Sequence, residues 1–373
     1  MTALDAFIAD FHEDPGYLDF ARLAPVGDPV LAEERAHAEL LSRARFGALQ
    51  TLSEQDARVR AALGEMLGFR PDQVVFQPSA SQALMHVMFG LTGGVSASPG
   101  EFPAVGYALA RAAEALGVLV PRDLVPEHER VTPGVVKAQV GANTVAVVVS
   151  LVDYRTGQVV DLEGVRQVIG DRLLIVDASQ GAGVVDAPWQ VADVIAGGGR
   201  TWLRAGPGTG FLVLSDRARE SLTPVWSGWL AQGSVEPVHE ILPPQDDAGA
   251  FRVGAADPGA EARLAAAVEA VVRVGVDVIA PVVLERTARI LDLVDEAGLP
   301  VVSPREDEER AGIVVVEPDA DQFGVLAAAL HNHGISATSR EGRVRLSAHV
   351  STGEDTLALL RTALLTFRAA TRP

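Results

Sequence analysis

Short apolar runs alternate with amphipathic helical stretches along most of this chain, and that alternation leaves few folds open. Strand-like runs lie at 74–76, 118–120, 144–151, 173–176, 194–196 and 211–214, with helical patterns between many of them, for example at 104–116 and 162–169. Strands separated by helices cannot pair as tight hairpins, so they are expected to align mostly in parallel beneath covering helices. The reading is therefore α/β, with a mostly parallel sheet flanked by helices. An amphipathic helical pattern over 28–67 precedes the first strand. A stretch at 226–258, rich in Gly, Pro and polar residues, separates the last of these strands from a long apolar helix pattern at 260–274. The domain change is placed after that helix, giving a large domain at 1–275 and a smaller α+β domain at 276–373. The smaller domain carries strands at 312–316 and 343–347 and helices at 321–331 and from 353 onward. Residues 1–30 are expected to pack on the small domain.

Charge and composition exclude several partner classes. The chain has 373 residues, 48% of them hydrophobic, and a formal net charge of −18. Such a charge repels a phosphate backbone or an anionic membrane surface unless basic residues gather on one face, and no such gathering is visible. Nucleic acid and membrane are therefore not expected as partners. No apolar run is long enough to span a bilayer, and the N-terminus lacks the basic flank and apolar core of a signal peptide, so a cytoplasmic location is expected. The sequence contains no cysteine, which removes disulfides, thiolate metal sites and cysteine-borne persulfides. Its eight histidines are scattered, and His331-Asn332-His333 is spaced like a helix end, so no metal is expected. Lysine is nearly absent: Lys137 is the only one.

Several positions carry chemical potential. Asp177 ends the strand run Leu173-Leu174-Ile175-Val176, where a carboxylate either caps a turn or faces a ligand. Ser79, Ala80 and Ser81 stand at a strand-to-helix turn, whose free N–H groups suit a phosphate, although helix capping explains the same residues equally well. Arg155, Arg200 and Arg345 are candidate anion binders.

The order of these motifs, from about residue 17 to residue 370, resembles the class V aminotransferase-type proteins, a fold-type I superfamily dependent on pyridoxal phosphate (PLP). Arg200-Thr201-Trp202, followed by Ala205-Gly206-Pro207-Gly208, and Arg345-Leu346-Ser347-Ala348-His349-Val350 are similar to segments of hercynylcysteine sulfoxide lyases. The run Val152-Asp153-Tyr154-Arg155-Thr156-Gly157 is more like kynureninase. The resemblance implies that Asp177 pairs with the pyridine nitrogen, which makes the ring an electron sink. It further implies that Gln180 meets the ring hydroxyl, Phe102 stacks on the ring, Ser79, Ala80, Ser81 and Arg200 face the phosphate, and Arg155 and Arg345 bind substrate. It places Thr201 where the family keeps the lysine that forms the Schiff base and moves the substrate proton. A threonine hydroxyl does neither. Two further departures are Gly198-Gly199, where a phosphate-binding serine is common, and Gly254-Ala255-Ala256-Asp257, where a partner subunit usually offers a Gly-Thr donor.

The leading expectation is a homodimeric relative that has lost ordinary PLP Schiff-base chemistry and binds a small anionic or amino-acid-like ligand, with PLP, if retained, not covalently attached. The alternatives are a C–S lyase or aminotransferase with non-covalent PLP, or carrying an engineered lysine replacement, and a non-catalytic dimeric scaffold or regulatory protein.

Overall fold

The computed structural model describes residues 2–126, 128–233 and 240–371. Positions 234–239 of the Gly- and Pro-rich stretch, and residues 1, 127, 372 and 373, lie outside the described residues. The chain opens with helices α1 (Ala3–Ala9), α2 (Asp28–Arg43) and α3 (Ala48–Leu67), then strand β1 (Val74–Gln77) and helix α4 (Ala80–Gly90). There follow β2 (Gly93–Ala97), α5 (Pro103–Leu116), β3 (Leu119–Asp123), α6 (Pro133–Gln139), β4 (Thr144–Ser150), α7 (Leu162–Ile169) and β5 (Leu173–Asp177). Next come β6 (Val194–Gly198), β7 (Gly210–Leu214), α8 (Asp216–Ser221), α9 (Pro258–Val274) and α10 (Val276–Glu296). The chain ends with β8 (Ile313–Val316), α11 (Phe323–Asn332), β9 (Thr338–Arg340), β10 (Arg343–Ser347) and α12 (Glu354–Thr371).

Local chemistry sets many of these boundaries. Ser79 caps α4, its hydroxyl accepting from the Gln82 N–H, and Asp161 caps α7 in the same way from Gly164. Proline at the first turn of α5 and left-handed Gly117 just past its end fix both ends of that helix. The helical pattern at 28–67 is two helices, because the backbone between them turns left-handed at Ala44 and Gly47.

The large sheet has seven strands in the order β1-β7-β6-β5-β4-β2-β3. The five strands β6, β5, β4, β2 and β3 run parallel, and β7 and β1 add an antiparallel margin. Side chains alternate between two covered faces: Val147, Val149, Leu174 and Val176 join one core, and Ala146, Val148, Leu173 and Ile175 the other. A three-stranded antiparallel sheet, β8-β10-β9, forms the centre of the smaller unit. Helix α10 joins the two cores. Ile279 and Val283 pack in the large core, while Ile290, Leu291 and Val294 pack in the small one.

The N-terminal segment straps both units together. Leu18 sits in the small core, and Tyr17 and Asp19 bridge to Ser336 and Ser347, whereas Phe7, Phe20 and Ala24 belong to the large core. Arg204 is the knot of this strap. Only 1% exposed, it donates from Nε to the Pro25 carbonyl at 2.6 Å, from Nη2 to Glu13 at 2.6 Å and from Nη1 to Ser351 Oγ at 2.7 Å. Its guanidinium also lies 3.6 Å from the centroid of the Phe11 ring. The φ of +57° at Arg204 is one that an arginine rarely adopts, so several contacts must hold it there.

Burial opposes ionisation of Glu13, but hydrogen bonds and charge from Arg204 outweigh it and keep the carboxyl below the usual carboxylate range. Arg204→Met is expected to cost about 3–5 kcal/mol in urea denaturation at neutral pH, because it strands a largely buried carboxylate. A depressed folded pKa contributes stability above the unfolded value and loses it as pH falls through the folded value. The deficit of the variant should therefore shrink in acid, and a pH-independent deficit would contradict the role of the ion pair.

Candidate functional site

The carboxyl ends of β4, β5 and β6 share one edge of the large sheet, where a doubly wound sheet leaves a crevice. The start of α4 and the β9–β10 edge of the small sheet close this crevice into a cleft of about 590 Å³. Nine sequence-derived positions line it: Ser79, Ala80, Ser81, Phe102, Asp177, Gln180, Arg200, Thr201 and Arg345. Arg155 is not among them. Its guanidinium turns back to Asp153, 2.8 Å away, and lies against Gly100.

Asp177 sits at the end of β5 and is 4% exposed. One carboxylate oxygen accepts the Ser179 N–H at 2.9 Å, and among the described residues no arginine, lysine or histidine pairs with it. Burial raises its pKa above the usual carboxylate value, with Ser179 opposing. Such a group suits a ligand that brings its own N–H⁺.

The opposite end of the cleft suits an anion. Ser79, Ala80 and Ser81 present the first turn of α4, and Gly198 lies next to Ala80. Gly210 lets β7 approach this turn, since a side chain there would come within 2.9 Å of the Ser79 backbone. Arg200 is exposed into the cleft, and its guanidinium has no hydrogen bond or ion pair among the described residues.

Position 201 has no amine. The Thr201 hydroxyl lines the cleft but donates to the Ser179 carbonyl at 2.8 Å. Lys137 is exposed in the last turn of α6 and does not line the cleft. Gln180 lines it, but its amide is engaged at both ends, donating to the Ala21 carbonyl at 2.9 Å and accepting from Trp202 Nε1 at 2.8 Å. Phe102 stands edge-on to Tyr154, with ring centroids 5.3 Å apart.

Arg345, from β10, donates from Nη1 to the Tyr154 carbonyl at 3.2 Å and has Asp19 at 3.8 Å. Its buried Nε has no acceptor among the described residues, and the residue lines the cleft, where its guanidinium suits a carboxylate.

The sequence alone did not single out Arg22, Arg340, Ser150 or Glu101. The first three line the cleft. Glu101 stands behind it, accepting from the Ser150 backbone N–H at 3.1 Å and from the Ser150 hydroxyl, and burial pushes its pKa up to about 7 against those bonds. Arg22 and Arg340 come from loop and edge positions whose neighbours give no pattern. Only the fold brings them to one place.

The chain matches the class V aminotransferase family over residues 29–359. It is 28% identical to the uncharacterized aminotransferase YcbU of Bacillus subtilis (strain 168) over 191 residues, 48% of this chain and 50% of that protein. It thus spans about half the length of the curated relative it matches. Among solved structures, the cystine C–S lyase C-DES in complex with its product cysteine persulfide superposes with a TM-score of 0.85 at 19% identity, covering 94% of this chain and 97% of that one. An apo cysteine desulfurase from Thermococcus onnurineus NA1 does so at 0.81 and 20% identity, covering 93% of each chain. A lysine-to-alanine mutant of C-DES, with glycine covalently linked to its PLP cofactor, gives 0.85 at 18% identity, covering 94% of this chain and 96% of that one. At these identities the likeness establishes the fold alone.

A buried, unpaired carboxylate costs stability when it ionises. Because the folded pKa of Asp177 is raised, the cost grows as pH rises above the unfolded value. Asp177→Asn should therefore raise the melting temperature of the ligand-free protein at pH 7 by about 2 °C or more. A lower melting temperature would mean that the carboxylate stabilises the fold by itself.

Proposed function

We propose that this chain, which belongs to the class V aminotransferase family, holds PLP in its cleft without a covalent bond and binds a small carboxylate-bearing ligand beside it. Lysine-dependent transfer and lyase chemistry is absent from this reading. The observation that carries it is the pairing of a retained cradle with Thr201, whose hydroxyl is tied to the Ser179 carbonyl.

The residues fit the two ends of the cofactor and not its aldehyde. Asp177 would pair with the ring nitrogen, and the first turn of α4 with Arg200 would hold the phosphate. Bound PLP supplies an electron-withdrawing ring. The chain's own groups orient the ligand: the Arg345 guanidinium holds a carboxylate, and Phe102 and Tyr154 wall the cleft. No amine is available at 201 to move a proton, a loss worth roughly 10²–10⁴-fold in rate by itself. The lysine-to-alanine mutant of C-DES, in which glycine is covalently linked to the PLP cofactor, supports the idea that this fold can hold PLP when a lysine is replaced. The motif likeness to hercynylcysteine sulfoxide lyases and kynureninases favours an amino-acid-derived ligand, and a homodimer is the assembly this reading takes.

Calorimetric titration tests the reading. Wild type should bind PLP, and Asp177→Asn and Arg200→Gln should each weaken that binding. Arg345→Gln should leave PLP affinity unchanged while reducing the affinity of the PLP-loaded protein for amino acids by about tenfold or more, as expected for losing a charge-assisted pair. If neither PLP nor amino acids bind or shift the melting temperature, the scaffold reading replaces this one.

A further inference from the structure

Beside the cleft lies a second cavity of about 240 Å³, which shares Pro78 with it and opens between α3, α4 and the start of α9. Its walls include Trp226, Phe251 and His86, with His86 edge-on to both other rings at centroid distances of 5.4 and 6.1 Å. The run Gly254-Ala255-Ala256, where the family resemblance leads one to expect a Gly-Thr donor, lines the same space with small side chains.

Most polar groups here are already engaged. Asp56 is ion-paired to Arg252 and to Arg60, and the Gln77 amide donates to the Phe251 carbonyl at 3.1 Å. Two buried side chains are not. His86, 3% exposed, has a buried Nδ1 without a partner among the described residues. Glu261, 5% exposed in the first turn of α9, has no hydrogen bond or ion pair to its carboxyl among the described residues. A buried carboxyl that lines a cavity without a partner is unusual, and it describes what is missing.

We propose that this cavity binds a small organic ammonium cation, with the Glu261 carboxylate as its counter-ion and the rings of Trp226, Phe251 and His86 as its walls. Aromatic walls beside one carboxylate suit a desolvated ammonium. The other charges do not oppose it, because Arg252 is spent on Asp56. Burial pushes the His86 pKa down to about 4, so the ring stays neutral and does not repel a cation.

The same burial, reinforced by Asp56 and Asp257 and opposed by Arg252, pushes Glu261 up to about 8. Glu261 must therefore lose its proton for the cation to bind at neutral pH. The affinity should rise with pH until Glu261 is ionised in the free protein.

Calorimetric titration of the full chain with ethylammonium chloride, against sodium chloride at equal ionic strength, tests this directly. We expect saturable binding that weakens on the order of tenfold or more from pH 8.5 to pH 6.5, since only the ionised fraction of Glu261 is competent. Glu261→Gln, which keeps the shape of the neutral acid, should abolish binding while keeping the melting temperature, and Trp226→Leu should weaken binding. Absence of saturable binding to wild type, equal binding by Glu261→Gln, or a flat pH dependence would each overturn the assignment. Run on an Asp177→Asn background, which removes the unpaired carboxylate of the first cleft, none of these outcomes depends on PLP or on that cleft.

Discussion

A carboxylate that is almost wholly buried, with one backbone N–H for company and no cation beside it among the described residues, is the feature on which the functional account depends. Taking an ionised carboxyl out of water is costly unless something pairs with it. The fold places Asp177 at the carboxyl end of a central parallel strand, at the floor of the cleft. A chain that needed only a turn cap there could use an exposed position or a neutral side chain. In the proposed reading the missing charge arrives with a ligand whose anionic end meets the first turn of α4 and Arg200, which line the other end of the cleft.

The cleft keeps its shape because three separate parts of the chain are tied at Arg204. Glu13 and Pro25 come from the N-terminal strap, Ser351 from the small unit, and Arg204 itself from the turn that follows position 201. A planar guanidinium with several donors in fixed directions can serve all three at once, and lysine could not. The buried His349 stacks near this knot on Phe20, and burial with the charge of Arg204 holds it well below its usual pKa, so it packs as a neutral ring. Position 201 lies three residues from the knot. The turn that holds Thr201 is thus tied through Arg204, and the Thr201 hydroxyl donates to the Ser179 carbonyl.

Much of this was legible in the residues. The apolar runs that became β1, β4, β5, β6 and β7 were readable because both faces of the sheet are covered, which makes those strands continuously apolar. Strand β2 was not, because Gly93-Gly94-Val95-Ser96-Ala97 has little apolar pattern. Gly94 is there for close approach, since a side chain would come within 2.6 Å of the Asn143 carbonyl. Strand β9 is three mostly exposed polar residues at a sheet edge, and its pairing is visible only in three dimensions. The site was legible where a motif ties a side chain to a strand end or helix start, as at Asp177, Ser79 and Arg200. It was not where a neighbour competes for the side chain. Arg155 reads as an anion binder in its local run, but Asp153, two residues earlier, takes its guanidinium, and the Gln180 amide is likewise taken by Ala21 and Trp202.

The central claim is that the cleft cradles PLP but offers no amine to its aldehyde. Borohydride reduction of the PLP-saturated protein followed by peptide mass analysis addresses it most directly, with Thr201→Lys run alongside. The account predicts no phosphopyridoxyl group on any cleft residue of the wild type, and one such group on residue 201 of the variant. Stoichiometric labelling of Lys137 in wild type, or an unlabelled residue 201 in a folded Thr201→Lys protein, would contradict it.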